Sequence, residues 1–334
     1  MQKKTRKERL IWLDIMITLL TLELMSYFYY GIRSVFLAGI CVVTGFVAEL
    51  VSLRFMKRSF TADDLTCTSD ALILALMFPA VMDYHISVIA VLFAILVAKN
   101  LFGGRLNMIF SPAAAAFVFV LTSWDGQLLQ YTEPHVKTGL FETPTNLVRS
   151  ASYVFDHTGT FDHSDFEVLL GNFSGPAGAV SILLLVVAAI VLMMRRSISA
   201  GAFLGTIFGT GLFAVVTPMV SSRADSLKYS LVTNMVLFSA IYIVSDLRIA
   251  PKRDYYAFFY GLFIGVISYV LVLTGAKENA IVIVSVLFTP IALGFRHLEK
   301  KIDTAEQEHS EVDAGEAAVT AAGEEAASWA QMTI

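Results

Sequence analysis

Apolar residues along the chain are gathered into ten long runs, roughly 11–30, 34–53, 69–83, 86–102, 107–123, 178–194, 200–217, 229–246, 255–274 and 279–297. Each approaches the ~20 mostly apolar residues that a bilayer crossing needs. The pattern predicts an all-α polytopic membrane protein with about ten transmembrane helices. Two runs are irregular: 69–83 is short and ends at Pro79, and 107–123 opens with Ser111-Pro112. Short or proline-interrupted runs mark discontinuous helices around a binding site.

Polar residues divide the chain further. A basic N-terminus covers 1–10, and the first five runs fill 11–123. Residues 124–177 form the one sizeable polar segment between runs and carry Thr132, Thr138, Thr143, Thr145, Thr158 and Thr160. The second five runs fill 178–300, and the tail 301–334 has eight acidic and no basic residues after Lys301, which predicts a solvated, disordered end. A set of five spans is odd, so two homologous sets would insert in opposite orientations. The layout therefore predicts a 5+5 inverted repeat with broken helices and a site at the repeat interface, although no residue-level repeat joins the halves.

Composition narrows the class. Hydrophobic residues make up 56% and charged residues 16%, against about 25% charged in ordinary globular chains, which excludes a string of soluble domains. With the N-terminus placed in the cytoplasm, 18 of the 24 Lys and Arg residues fall in cytoplasmic segments. That bias predicts both termini inside and 124–177 outside. No small-residue cleavage site ends the first run, so it reads as a retained span. Cys41 and Cys67 are too few for a disulfide framework or a cysteine-built metal site. No phosphate-binding glycine fingerprint, HExxH or nucleophile elbow occurs, and nothing points to nucleic acid.

A few residues could carry chemistry. Glu23 lies mid-run, where a carboxylate faces a bundle interior or a water cavity. It serves there either in an ion pathway or as a protonated, hydrogen-bonded group. Glu49, near Arg54 and the interface, reads as the second of these, a protonated or hydrogen-bonded carboxyl with no transport role, and Asp14, close to the basic N-terminus, reads as interfacial. Lys99-Asn100-Leu101-Phe102-Gly103-Gly104-Arg105 joins the fourth and fifth runs, and paired glycines permit a sharp turn or a close ligand approach. Ser111-Pro112 followed by four alanines offers either tight helix packing or a break exposing backbone groups to a cofactor or ion. Ser245-Asp246, with Arg248 and Ala250-Pro251, closes the eighth run. Cys67 reads as packing.

These segments together resemble one family. The stretch from Asp70-Ala71-Leu72-Ile73, through Lys99-Asn100-Leu101-Phe102-Gly103-Gly104, to Phe110-Ser111-Pro112-Ala113 is similar to the D subunit of Rnf-type electron-transport complexes and the related B subunit of the sodium-pumping NADH:quinone reductase. Leu170-Gly171-Asn172 with Gly175, Arg195-Arg196-Ser197-Ile198-Ser199, and Ser245-Asp246 with Pro251 extend the likeness over roughly 65–300.

The resemblance implies a membrane subunit of a translocase or oxidoreductase complex, of ferredoxin:NAD+ or NADH:quinone type, that passes electrons while Na+ or H+ moves. It implies FMN joined through its phosphate to an outer-side threonine, a second non-covalent flavin, and partner subunits including a flavin-bearing G- or C-type subunit. The family's Ser-Gly-Ala-Thr attachment site falls on Leu140-Phe141-Glu142-Thr143, followed by Pro144, which makes Thr143 the covalent position, with Phe141-Glu142 replacing Gly-Ala and Ser111 replacing the Asn of Phe-Asn-Pro-Ala. Gly103, Gly104, Ser111, Pro112 and Asp246 are the expected contacts to cofactor, and Glu23 an ion-pathway residue. The layout without a redox cofactor would instead be an inverted-repeat secondary transporter or channel, or a flavinless scaffold.

Overall fold

A computed structural model describes residues 2–102, 104, 108–142, 144–161, 163–275, 278–304 and 306. Every apolar run carries a helix, because a chain surrounded by lipid must satisfy its backbone hydrogen bonds internally. The first half contains α1 (Gln2–Tyr30), α2 (Ile32–Phe55), α3 (Thr66–Met77), α4 (Tyr84–Leu92, continued by a π-helical stretch Phe93–Leu101) and α5 (Pro112–Ser123). The second contains α9 (Ile182–Met194), α10 (Ala200–Val216), α11 (Arg223–Val232), α12 (Val236–Ser239, continued by a π-helical stretch Ala240–Val244), α13 (Asp254–Leu273), α14 (Ala280–Leu287) and α15 (Thr289–Thr304). Among the described residues, extended pairing is limited to one antiparallel bridge, Tyr131 with Val148.

Helix length separates the runs. Leu10–Tyr30, Ile32–Phe55, Tyr84–Leu101 and Asp254–Leu273 are long and apolar enough to cross a bilayer. Two bent pairs, Arg223–Val232 with Val236–Val244 (55°) and Ala280–Leu287 with Thr289–Thr304 (45°), bring the number to six if each is one crossing. α3, α5, α9 and α10 are shorter apolar helices, of 12, 12, 13 and 17 residues.

Both irregular runs have a local explanation. α3 ends before Phe78-Pro79, where Gly178 N donates to Leu76 O (2.8 Å) and Ala177 N to Phe78 O (3.1 Å). The carbonyls freed by the break are thus taken by the chain itself rather than left open for an ion. Gly178 is needed there, since a Cβ would sit 2.6 Å from the Leu76 side chain. In α5, Pro112 does not interrupt a helix: it occupies the first turn, and the Ser111 hydroxyl accepts from Ala114 N as N-cap. The break the sequence left unmarked lies in the eighth run, at Thr233-Asn234-Met235 between α11 and α12.

α10 and α13 pack with almost no space between their backbones. Gly201, Gly205 and Gly209 recur every four residues on α10, facing Gly261 and Gly265 on α13. A Cβ at Gly205 would lie 2.1 Å from Phe258 O, and one at Gly261 2.1 Å from Ala202 O. This is the small-residue packing that substitutes for hydrophobic driving force between helices in lipid.

The polar segment 124–177 is ordered rather than structureless. It holds α6 (Asp125–Leu128), α7 (Ala151–Thr158) and α8 (Asp165–Leu170). Ser150 caps α7, and α8 starts with a reciprocal Ser164–Glu167 capping box. Tyr29 at the end of α1 donates its hydroxyl proton to Leu170 O (3.2 Å), tying the segment to the helices.

Candidate functional site

One large cavity, about 1030 Å³, opens at the end of the molecule where the 245–253 segment follows the second π-helical stretch. Trp12 of α1, Ser69 and Ile73 of α3, Phe102 and Met108 line one side. Tyr242, Asp246, Arg248, Lys252 and Arg296 line the other. The volume stands at the upper end of the ~300–1,000 Å³ typical of ligand pockets, and an aromatic wall facing a charged rim is their usual chemistry.

Arg248 organises the rim. It donates to Asp70 through Nη2 (2.5 Å) and Nη1 (3.0 Å), and to Asp246 through Nε (2.9 Å) and its backbone N (2.8 Å). Arg296 in turn donates to Arg248 O, and Glu299 accepts from Lys252 N (3.1 Å) and Arg253 N (2.7 Å). A planar guanidinium can bridge two carboxylates in this way, whereas an ammonium cannot. Asp14, expected at the interface, is buried and joins the same end of the molecule to α9, accepting from Ser197 Oγ (2.7 Å) and Arg195 Nε (2.7 Å).

Glu49 is hydrogen-bonded to a neighbouring helix, as expected: it is 1% exposed and accepts from Lys99 Nζ and Asn100 Nδ2, each at 3.1 Å. Lys99 is buried too, at the end of the π-helical stretch, a distortion that often re-aims side chains at functional sites. A charged pair this deep survives only when both members are matched. Glu23 is buried with one carboxylate oxygen, Oε1, unpartnered among the described residues.

Of the residues expected to contact cofactor, Asp246 lies on the cavity wall. Ser111, Pro112 and Gly104, the last with φ +69°, do not line the cavity. Gly103 and Thr143 lie outside the described residues. The cavity's size and aromatic lining suit a flavin-sized ligand beside a rim of mixed charge, and Trp12, which lines the space, has its Nε1 buried without a hydrogen-bond partner among the described residues. A buried donor left unmatched costs roughly 1–3 kcal/mol, which a polar ligand atom would recover.

At the opposite end of α2, Arg33 fixes the segment leading to position 143. It is 4% exposed and donates through Nη1 to Glu142 O (2.6 Å) and Gly139 O (3.1 Å), and through Nη2 to Val81 O (3.3 Å). The Glu142 carboxylate folds back onto Gly139 N (2.9 Å), and Tyr84 donates to Leu140 O (2.6 Å). The turn is therefore built from Arg33 and Tyr84 as well as from its own residues. A single arginine at the start of an apolar run was the signal, and its range of more than 100 residues kept it from being read.

The fold and these centres define a polytopic helical membrane protein organised around buried ion pairs and one large, charge-rimmed cavity. The chain belongs to the NQR2, RnfD, RnfE family, whose pattern matches residues 2–294. It is 25% identical over 267 residues to the D subunit of the Na(+)-translocating ferredoxin:NAD(+) oxidoreductase complex of Acetobacterium woodii, covering 78% of this chain and 80% of that relative. It is 32% identical over 173 residues to the D subunit of the ion-translocating oxidoreductase complex of Actinobacillus pleuropneumoniae, 51% of this chain and 48% of the relative. The protein of the same name from Shewanella frigidimarina is 30% identical over 113 residues, 33% of this chain and 32% of the relative.

Proposed function

We propose that this chain is the D subunit of an Rnf-type complex in a prokaryotic cytoplasmic membrane. It spans the bilayer ten times with both termini in the cytoplasm, and it passes electrons between partner subunits as Na+ or H+ moves. The observation carrying this reading is the family match along nearly the whole membrane domain, shared with a component of an Na+-translocating ferredoxin:NAD+ complex. Residues expected in the cytoplasm (Asp246, Arg248, Lys252, Arg296) share one cavity, and residues expected outside (Arg33, Gly139, Glu142) share a separate hydrogen-bonded cluster, in keeping with the ten-span topology.

FMN is carried on Thr143 through a phosphoester, and a second, non-covalent flavin occupies the large cavity. Bound flavin supplies one- and two-electron transfer. The chain's part is to hold and tune it. Trp12 and Phe102 offer faces for stacking, Trp12 Nε1 a donor, and Lys252, Arg296 and Lys300 positive side chains. Arg33 and Glu142 shape the loop that presents Thr143 to a flavin transferase. Partners, including a flavin-bearing G- or C-type subunit, supply the ferredoxin or nicotinamide chemistry.

The test is in-gel flavin fluorescence of the denatured protein after co-expression with a flavin transferase, comparing wild type with Thr143→Val. A wild-type band that goes dark in the variant supports covalent FMN at Thr143. A dark wild-type band, with the transferase active on a control substrate, removes the covalent flavin and favours a transporter or scaffold.

A further inference from the structure

Between α11 and α12 the chain passes through Asn234 (φ 54°) and Met235 (φ 56°), both left-handed without being glycine. Such backbone persists only where its surroundings hold it. Asn234 N donates to Ser152 Oγ (2.9 Å), its Nδ2 donates to Asp156 Oδ2 (2.9 Å), and its Oδ1 accepts from Asn279 N (3.1 Å). α7 is pinned from the other side, because Ser150 caps it through Tyr153 N (2.9 Å) and donates its own proton to Glu278.

This arrangement fixes Asp156 at the edge of a small cavity of about 10 Å³. That is room for one water or one small ion. Ser230, Thr233, Thr210 and Ser268 share its wall with Asp156 and Asn234. Ser230 is 5% exposed, and its hydroxyl has no hydrogen-bond partner among the described residues. The other three hydroxyls donate their protons to backbone carbonyls: Thr233 to Tyr229 O (2.8 Å), Thr210 to Gly265 O (3.3 Å) and Ser268 to Gly265 O (2.9 Å). Each keeps lone pairs for a positive centre.

The wall contains no Lys or Arg among the described residues, so it does not suit an anion. Its ligands are oxygens with a single carboxylate, whereas divalent calcium collects several carboxylates and six to eight oxygens. We propose that this cavity binds one desolvated monovalent cation, sodium being the probe, through the Asp156 carboxylate and the Ser230 hydroxyl. Binding is a property of these residues and stands apart from the redox reading; only its use as a station on an ion path rests on that reading.

The test uses the full chain purified in detergent, radioactive sodium, and flavin fluorescence measured on the same sample. Wild type binds one sodium per chain, displaced by unlabelled sodium chloride and not by choline chloride. Losing a charged ligand weakens binding roughly tenfold or more in Asp156→Asn. Ser230→Ala weakens it severalfold while melting no lower than wild type in choline chloride, because it deletes an unsatisfied hydroxyl; a purely structural serine would leave sodium affinity unmoved. Absence of bound sodium in wild type, or unchanged binding in a folded Ser230→Ala, overturns the proposal. With the flavin transferase co-expressed and active on a control substrate, sodium binding without flavin fluorescence would sink the flavin reading alone.

Discussion

Asp70 and Arg248 meet as a two-pronged ion pair across 178 residues of sequence, with Arg248 Nη2 2.5 Å from Asp70 Oδ1 and Nη1 3.0 Å from Oδ2. Asp70, 1% exposed, comes from α3 in the first half, and Arg248 follows the second π-helical stretch in the second half. The guanidinium also holds Asp246, so one cation matches two carboxylates at the seam between the halves. Its loss would leave both acids uncompensated.

Arg248→Met is therefore expected to destabilise the protein by about 3–5 kcal/mol, the scale found when a buried charge loses its partner. The measurement is the melting temperature in detergent. Arg248→Lys should recover part of the loss, because the charge returns without the fork geometry. A methionine variant that melts with wild type would show that the pair does not hold the halves together.

Glu49 and Lys99 allow a cleaner separation of charge from packing. Lys99→Met alone strands a buried carboxylate, and Glu49→Gln alone strands a buried ammonium; each is expected to cost several kcal/mol. The double variant should be markedly more stable than the sum of the two predicts, since no net charge remains buried. Thermal melts of all four proteins complete the cycle, and strict additivity would refute the coupling.

The glycine contacts between α10 and α13 give a prediction with an internal control. Gly205→Leu or Gly261→Leu places side-chain atoms where Phe258 O or Ala202 O now lies 2.1 Å from the would-be Cβ, so the helices must separate. Neither variant should elute as a monodisperse peak on size exclusion. Gly39→Leu on α2, where nothing lies within 4 Å of the added carbon, should elute as wild type does.

How much of this was legible in sequence depends on the range of the cause. Helix placement followed apolar runs because lipid imposes one local requirement on the backbone, whereas the α10–α13 contact went unread, since a four-residue glycine spacing names no partner helix. The end of α3 was legible at Pro79, but its capping by Ala177 and Gly178 was not, because those amides come from about 100 residues away. The break at Asn234 was hidden for the same reason: Ser152, Asp156 and Asn279 hold it, and nothing in the apolar run itself demands it. For Glu49 the kind of contact was legible, a hydrogen bond to a neighbouring helix, but not the partner, because Lys99 lies 50 residues away in sequence.

Glu278 predicts a pH dependence of stability. Burial raises its carboxyl from 4.5 to about 7; the Ser150 hydrogen bond opposes this, the charge of Asp156 adds to it, and Arg149 and His157 work against it. Because the folded state holds this proton more tightly than the unfolded chain, the stability it contributes is complete below pH 4.5 and is lost as pH rises through 7. The swing is at most about 3 kcal/mol. Melting temperature should fall across that window in wild type, and Glu278→Gln should flatten the slope. An equal slope in both proteins would place the titration elsewhere.

Arg33 provides the sharpest link between fold and proposed chemistry. Its guanidinium is buried and holds three carbonyls at once, those of Val81, Gly139 and Glu142, so the turn before Thr143 is set by a residue of α2. Arg33→Gln cannot span the same three acceptors, and Glu142 would lose the contact that fixes its carbonyl while its carboxylate stays on Gly139 N. A transferase that must reach a presented threonine would then meet a loop of wandering geometry. Covalent flavin fluorescence is expected to fall severalfold in Arg33→Gln at equal protein amount, toward the dark floor set by Thr143→Val, while sodium binding at Asp156 stays unchanged. Fluorescence equal to wild type would mean that the loop presents its threonine without Arg33, and a dark wild type would remove the attachment site that Arg33 is argued to shape.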